Sequence, residues 1–183
     1  MPTPEERLIA LNRLHTRVTQ CFTFLIWRNR ARPVLRVVVN FGDENLKLLQ
    51  NAAIEISLLS VRALNEFFRQ RTRSTRDDDV LAGDYPGFQT PGPFLTDDEA
   101  RELNKRVFHI TCQDRSLSVV SWNIADLTMR AGTHVVAFLR FLESDSQLSV
   151  VEREIASSSL RGTLHLIEQT RAAAAEEGAP RQL

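Results

Sequence analysis

The chain has 183 residues, of which 43% are apolar and 25% charged, a composition typical of globular proteins and not of disordered ones. Its formal net charge is zero, which excludes a global field that would draw it to nucleic acid or to an anionic membrane. Cys21 and Cys112 lie far apart and form no CxxC motif, so neither a disulfide framework nor a zinc site is indicated. Residues 1–20 lack the apolar segment of a signal peptide, and no apolar run approaches the roughly 20 residues of a membrane span. We therefore expect a cytoplasmic protein with no membrane segment.

The first predicted helix runs from about Pro4 to Arg28, and Thr3 can cap its N-terminus. Its apolar stripe alternates steps of three and four residues and comprises Leu8, Leu11, His15, Val18, Phe22 and Leu25. The following residues, 29–42, contain a proline and three consecutive valines, which predict an extended connector.

The second predicted helix begins near Asp43 and ends near Gln70. Its main apolar stripe comprises Leu49, Ala52, Ile56, Leu59, Ala63 and Phe67. Further apolar residues widen this surface, and they comprise Leu48, Ile54, Leu58, Leu64 and Phe68. Because a helix that is apolar on most sides is typical of a bundle centre, we predict that this helix is the most buried element.

A long connection follows, at about 71–96, with three prolines and three glycines. Loops of this length are uncommon unless they have a function or are held by their own anchors. The available anchors are Val80, Leu81, Tyr85, Phe88 and Phe94. We therefore predict an ordered loop that packs across the bundle.

Three more helices are predicted after the loop. A capping box from Thr96 to Glu99 begins the third helix, whose inward residues are Ala100, Leu103, Val107 and Ile110. The fourth covers about 117–143, with the stripe Val120, Ile124, Leu127, Ala131, Val135, Phe138 and Leu142. The fifth begins near Ser149, with Ile155, Leu160, Leu164 and Ile167 inward. Short turns predict that the third and fourth, and the fourth and fifth, helices form antiparallel hairpins.

These elements predict an all-α protein, an up-and-down bundle of about five helices with one long ordered loop (about 71–96). Residues 1–170 form a single domain in this prediction. Residues 171–183 are rich in helix-forming residues but have little to bury, so we expect a frayed C-terminal tail.

The sequence lacks the motifs of phosphate-binding loops, dinucleotide-binding folds, zinc proteases and serine hydrolases. Its four histidines lie on four different predicted helices. A di-iron bundle site requires a glutamate three residues before a histidine, and none of the four has one. We therefore expect no metal site and no cofactor.

Polar residues of the second and third helices and of the loop are candidates for one polar latch, in which loop carboxylates pair with cations of the bundle. They are Arg62, Glu66, Asp78, Asp79, Asp84, Asn104, Lys105, His109 and Arg115. In a structural interpretation these charges pair because an unpaired buried charge is costly. In a catalytic one, His109 is a general acid or base, and Arg62 and Arg115 bind phosphate. Arg130 and His134, four residues apart on one helix, form a further His–Arg pair.

Three segments, SVRALNEFF (60–68), DDDVLAGDY (77–85) and LNKRVFHITCQDR (103–115), followed by Trp122, resemble a group of uncharacterised bacterial all-helical proteins. That group is similar in architecture to HEPN-type bundles, many of which are dimeric ribonucleases or nucleic-acid-associated partners in defence systems. The HEPN signature places an arginine before its histidine on one helix, whereas here His109 precedes Arg115. The resemblance therefore implies the bundle more directly than it implies catalysis.

Two main functional hypotheses follow, and a third possibility is a partner or regulator encoded beside a toxin or nuclease. The first is a non-catalytic helical binding module, homodimeric or bound to another protein, in which the His/Arg/Asp set is a buried latch. The alternative is a metal-independent HEPN-like ribonuclease or nucleotide-binding protein in a bacterial defence or toxin–antitoxin setting, with RNA as its partner.

Overall fold

The computed structural model describes residues 2–28, 42–72, 80–108 and 123–178, and within them all regular structure is helical. The α-helices are α1 (Pro4–Cys21), α2 (Thr23–Ile26), α3 (Asp43–Phe67), α4 (Asp97–Phe108), α5 (Ile124–Ser144) and α6 (Val150–Gly178), and a short 3₁₀ helix covers Ala82–Asp84. They pack around one core as an all-α bundle, which confirms the predicted fold class. Helix α6 continues past position 170, where the prediction placed the end of the domain.

Helix α1 begins at the predicted cap. The Glu6 amide donates to the Thr3 hydroxyl (3.2 Å), and the Thr3 amide donates to the Glu6 carboxylate (2.6 Å). The predicted first helix is interrupted at Phe22, where α1 ends before α2 begins, although the chain remains helical to Arg28. There the amide of Phe24 donates to the Ser57 hydroxyl of α3 at 2.9 Å. The Ser57 side chain thereby interrupts the backbone hydrogen-bond pattern of the helix.

The buried stripe of α1 also differs from the predicted one. The buried residues are Leu11, Leu14, Val18 and Cys21. His15 is exposed, so its place in the predicted stripe is wrong. Leu14, one position earlier, faces the bundle instead, because burial of an apolar side chain is favourable and burial of an imidazole is not.

Helix α3 contacts α1, α2, α4 and α5, yet it is not the most buried element. Eight of its 25 residues are buried, against ten of 21 in α5. The buried ones are Leu46, Ala53, Ser57, Leu58, Ser60, Val61, Leu64 and Asn65. The predicted stripe lies elsewhere, with Leu49 39%, Ile56 39% and Leu59 41% exposed. The main stripe is therefore wrong, whereas Leu58, Leu64 and Phe68 of the wider predicted surface are buried, because α3 has two apolar faces and the described part of the bundle covers only one of them.

The loop from 80 to 96 packs across the bundle, as predicted. Leu81, Tyr85 and Phe94 are buried, and Val80 and Phe88 pack against the same core. The anchors therefore hold the described part of the loop, while residues 73–79 lie outside the described residues.

A tight turn brings two of these anchors together. The Phe88 amide donates to the Tyr85 carbonyl at 3.1 Å, with Pro86 and Gly87 between them. Gly87 has φ of 83°, which a turn with proline first and glycine second requires. Both rings then contact the fully buried Phe138 of α5, with centroids 4.9 Å away in each case.

Helices α5 and α6 form the predicted hairpin and make the most extensive helix contact in the described bundle. Gly132 permits this approach: a Cβ there would lie 3.2 Å from Phe22 and from Ile167. The predicted α5 stripe is buried from Ile124 to Leu142, whereas Leu164 of α6, predicted inward, is 38% exposed.

Candidate binding groove between the first and third helices

An open groove of about 970 Å³ lies between α1 and the C-terminal half of α3. Its apolar lining comprises Ile9, Ala10, Leu14, Ala63, Leu64, Phe67, Val80 and Leu81. Residues of α1 and α3 form most of the surface, and the loop and α4 complete it with Val80, Leu81 and Asn104. A concave surface lined by both apolar and polar side chains is a general property of binding sites.

The polar lining is predominantly basic. Four arginines take part: Arg13, Arg17, Arg62 and Arg69. Two carboxylates accompany them, Glu6 and Glu66, and Glu66 already forms an ion pair with Arg69. The groove is therefore net positive although the whole chain is neutral.

Arg13 and Arg17 form a pair of cations on α1. They stand four residues apart on α1, so they share one helix face, and both are exposed. Arg17 donates to the Gln20 side-chain oxygen at 3.1 Å. Guanidinium groups bind carboxylates and phosphates through two parallel hydrogen bonds, so this edge of the groove suits an anionic partner.

Three predicted latch residues line this groove: Arg62, Glu66 and Asn104. Arg62 has interactions of its own within the chain. Lys105 is exposed and lies 3.6 Å from Glu102, one turn earlier on α4. The described members are thus partly or fully exposed and do not form a buried cluster.

Asp84 holds the loop through a different arginine. Its carboxylate accepts hydrogen bonds from Arg71 at 2.7 and 3.2 Å and from the Leu81 amide at 2.8 Å. Partial burial alone would raise the pKa of Asp84, but these hydrogen bonds outweigh it and the pKa lies below its ordinary value. Arg71, which sequence reasoning did not select, is the described partner of this carboxylate.

The remaining candidates, Asp78, Asp79, His109 and Arg115, lie outside the described residues. The complete latch stays a prediction, as do the catalytic roles given to His109, Arg62 and Arg115.

Two further carboxylate–arginine contacts join distant elements, and sequence reasoning missed both. In the first, Arg130 of α5 donates to both carboxylate oxygens of Glu99, at 2.6 and 3.1 Å, and to the Phe94 carbonyl at 2.9 Å. The bidentate contact from Arg130 lowers the pKa of Glu99 to about 2. Arg130 thus fastens the end of the loop and the start of α4 to α5.

In the second, Arg7 of α1 donates to Glu152 of α6 at 2.9 Å. Glu152 is 2% exposed and also accepts from the Ser149 amide and hydroxyl, at 2.9 and 2.7 Å. Burial alone would raise its pKa, but the hydrogen bonds from Ser149 and Arg7 hold it below the ordinary value. Tyr85 completes this contact by donating its hydroxyl to the Arg7 carbonyl at 3.2 Å.

One signal in the sequence pointed to both sites. Thr96–Glu99 and Ser149–Glu152 are capping boxes, and in each the glutamate caps its own helix while it binds an arginine from elsewhere. The boxes are visible in the sequence, but their arginine partners are not, because Arg7 lies 145 residues from Glu152.

Two of the described histidines have structural surroundings. His134 Nδ1 lies 3.1 Å from the Arg130 carbonyl oxygen, and its ring contacts Phe68 and Phe94. Since Arg130 is held by Glu99, this His–Arg pair joins helix to loop. His165 contacts Gln169 on the surface of α6. No described histidine lines the groove.

Within the described ranges, no group of three or more histidine, cysteine or acidic side chains is placed to hold a metal ion. Nor do these ranges contain a helix with the length and apolar character needed to span a bilayer. Comparison of the chain with known protein families, curated proteins and solved structures finds no match.

Proposed function

We propose that this protein is a non-catalytic, cytoplasmic interaction module with HEPN-like bundle architecture, which binds a helix of a protein partner in the groove between α1 and α3. The supporting observation is the groove itself, an open space of about 970 Å³ lined by apolar side chains and by four arginines against two glutamates. Partner binding in this way is compatible with a homo-oligomer or with a complex of two different proteins.

The chemistry of the groove specifies the kind of partner. Ile9, Phe67 and Val80 offer apolar surface, which suits the apolar stripe of an amphipathic helix. Arg13 and Arg17 along one edge favour acidic residues beside that stripe. The expected ligand is therefore an acidic amphipathic helix, and a basic helix is disfavoured by the same charges.

Ribonuclease or nucleotide-binding activity is the alternative, and it depends on His109. The arginine-lined groove can also accept phosphate groups. Acid–base catalysis in the groove needs a group that titrates near neutral pH, as histidine does. The described histidines lie outside the groove. His109 is the remaining histidine of the chain and would have to supply it.

A binding measurement tests the proposal. The ligand is a fluorescent synthetic helix with leucines at alternating three- and four-residue spacing and glutamates beside them, and anisotropy is recorded as protein is added. We expect binding in the micromolar range, weakened about tenfold or more by Arg13→Glu/Arg17→Glu. Arg140→Glu/Arg161→Glu is the matched control, since both arginines are exposed, lie outside the groove and change the net charge equally.

An equal loss of affinity for the synthetic helix in both double variants would show a general charge effect and would contradict a groove-specific site. A second readout decides for the alternative: cleavage of single-stranded RNA in excess chelator, abolished by His109→Ala at unchanged melting temperature, would make the protein a nuclease.

A further inference from the structure

We propose that the helix bound in this groove is α3 of a second copy of the same chain, so that two copies form an antiparallel homodimer. This inference rests on the proposed function and names the partner. Three features of α3 and of the groove support it: an uncovered apolar stripe, complementary charge and a self-consistent register.

The stripe lies on the face of α3 that the described part of the bundle leaves open. Leu48 is 66% exposed, and Leu49, Ile56 and Leu59 are 39%, 39% and 41% exposed. Together with two alanines the stripe occupies positions 49, 52, 56, 59 and 63. Steps of three and four residues in strict alternation are the pattern by which two helices pack along a shared apolar line. An exposed stripe of this kind on one helix indicates a second helix against it.

Charge selects a second copy as that helix. The segment from 43 to 60, DENLKLLQNAAIEISLLS, has three acidic residues and one lysine, and it contains most of the exposed stripe. The groove at the other end of the same helix has four arginines and two glutamates. The acidic half of α3 in one copy therefore complements the basic half in another. Because each chain has both halves, an antiparallel pair satisfies both contacts at once through a two-fold axis.

The register follows from the spacing. With the axis between Ser57 and Leu58, antiparallel packing places Ile56 opposite the partner's Leu59, and Ala52 opposite the partner's Ala63. The two alanines allow the helices to approach closely. In the same register Glu55, which is exposed, flanks the apolar line opposite the partner's Arg62. Arg62 keeps its interactions within its own chain, and the partner's Glu55 adds a further carboxylate at the edge.

Sedimentation velocity of the 183-residue chain over a range of concentrations tests the dimer. We expect a concentration-dependent dimer that Leu49→Glu/Ile56→Glu converts to a monomer, with a cooperative melting transition that shows the variant to be folded. The control is Val150→Glu/Val151→Glu, which changes two exposed apolar residues of α6 outside the stripe and leaves the dimer intact. A wild type that is monomeric throughout, or a dimer that the α3 variant does not weaken, overturns the proposal.

A charge-reversal experiment tests the antiparallel register. Glu55→Arg and Arg62→Glu each place like charges opposite one another in their own dimers, so each variant alone dimerises at least tenfold more weakly. In a mixture, the arginine at position 55 of one variant faces the glutamate at position 62 of the other, and both edges are complementary again. We expect the mixture to recover dimer while each variant alone does not, at melting temperatures that show both to be folded. No recovery on mixing overturns the register.

The two proposals fail separately. If the Leu49→Glu/Ile56→Glu variant binds the synthetic acidic helix but wild type never dimerises, the groove is a binding site and its partner is another protein. If wild type dimerises through α3 but no variant binds the synthetic helix, the groove accepts only this chain and the general module is wrong.

Discussion

The two faces of α3 differ in where their polar and apolar residues lie, since the inner face combines five apolar residues with three buried polar ones and the outer face holds exposed leucines. Ser57 and Ser60 are fully buried and Asn65 is 3% exposed, whereas Leu48 is 66% exposed. Each inner polar group has a partner: Ser57 accepts from the Phe24 amide, Ser60 donates to Gln20, and Asn65 accepts from the Leu95 amide. A polar side chain of α3 can therefore be buried where it has a hydrogen-bond partner. A leucine on the outer face has no comparable partner within the described bundle, which is why we assign that face to a second chain.

The same substitution on the two faces gives the largest contrast. Leu64 is 1% exposed and Leu48 is 66% exposed on one helix. Leu64→Ala leaves a cavity in the core and should lower the free energy of unfolding by about 2–5 kcal/mol. Leu48→Ala, the matched control, should change it by less than about 0.5 kcal/mol. Urea denaturation followed by circular dichroism, at a concentration where the protein is monomeric, measures both, and equal effects would refute the assignment of the faces.

A buried amide provides the second contrast. Asn65 Oδ1 accepts the Leu95 amide at 2.9 Å, so Asn65→Ala leaves that amide buried without its described acceptor. The free energy of unfolding should fall by about 1–3 kcal/mol. Asn51, which is exposed on the same helix, provides Asn51→Ala as the control, with almost no change expected. Thermal melting of both variants decides, and a stable Asn65→Ala protein would show that Asn65 does not hold the loop.

The smallest effect concerns pH. The folded-state pKa of Glu99 is about 2 against an ordinary 4.5, so its stabilising contact with Arg130 is complete above about pH 5 and is lost as the pH falls toward 2. Glu99→Gln should therefore lower the melting temperature at pH 7. Because the pair is partly exposed, the loss in free energy of unfolding should be about 1 kcal/mol at most. The difference in melting temperature from wild type should shrink in acid. Glu66→Gln, which removes an exposed pair on the outer side of α3, is the control and should differ little from wild type at either pH.

Local features of the sequence predicted most of the fold. The cap at Thr3, the box from Thr96 to Glu99 and the stripe of α5 all depend on neighbours within one or two helical turns. Such contacts form in the same way whatever the rest of the chain does. The loop anchors could be identified because large apolar side chains in a polar segment have no other stable place.

The choice between the two faces of α3 could not be made from the sequence. Both faces have apolar residues at helical spacing, and periodicity alone does not tell which one α1 and α5 will cover. The outer stripe is the more regular of the two, which is why the periodicity predicts it as the main apolar stripe, whereas the inner face also contains the polar residues Ser57 and Asn65. Their partners lie 33 and 30 residues away, in α2 and in the loop.

The candidate site was predicted only in part. Arg62, Glu66 and Asn104 were selected and do line the groove, but Arg13 and Arg17 of α1 were not. Nothing in the local pattern of α1 distinguishes two surface arginines from any others. They become part of a site only when α3 lies beside them, which is a property of the tertiary structure.

The attachment of the loop also implies an order of folding. From 80 to 96 the loop meets α1 through Tyr85, α3 through Asn65, and α5 through Phe138 and Arg130. It has little regular structure of its own, so its docking site exists only after those three helices have assembled. The loop should therefore be a late participant, absent from the folding transition state, and Asn65→Ala should accelerate unfolding while leaving the rate of folding nearly unchanged.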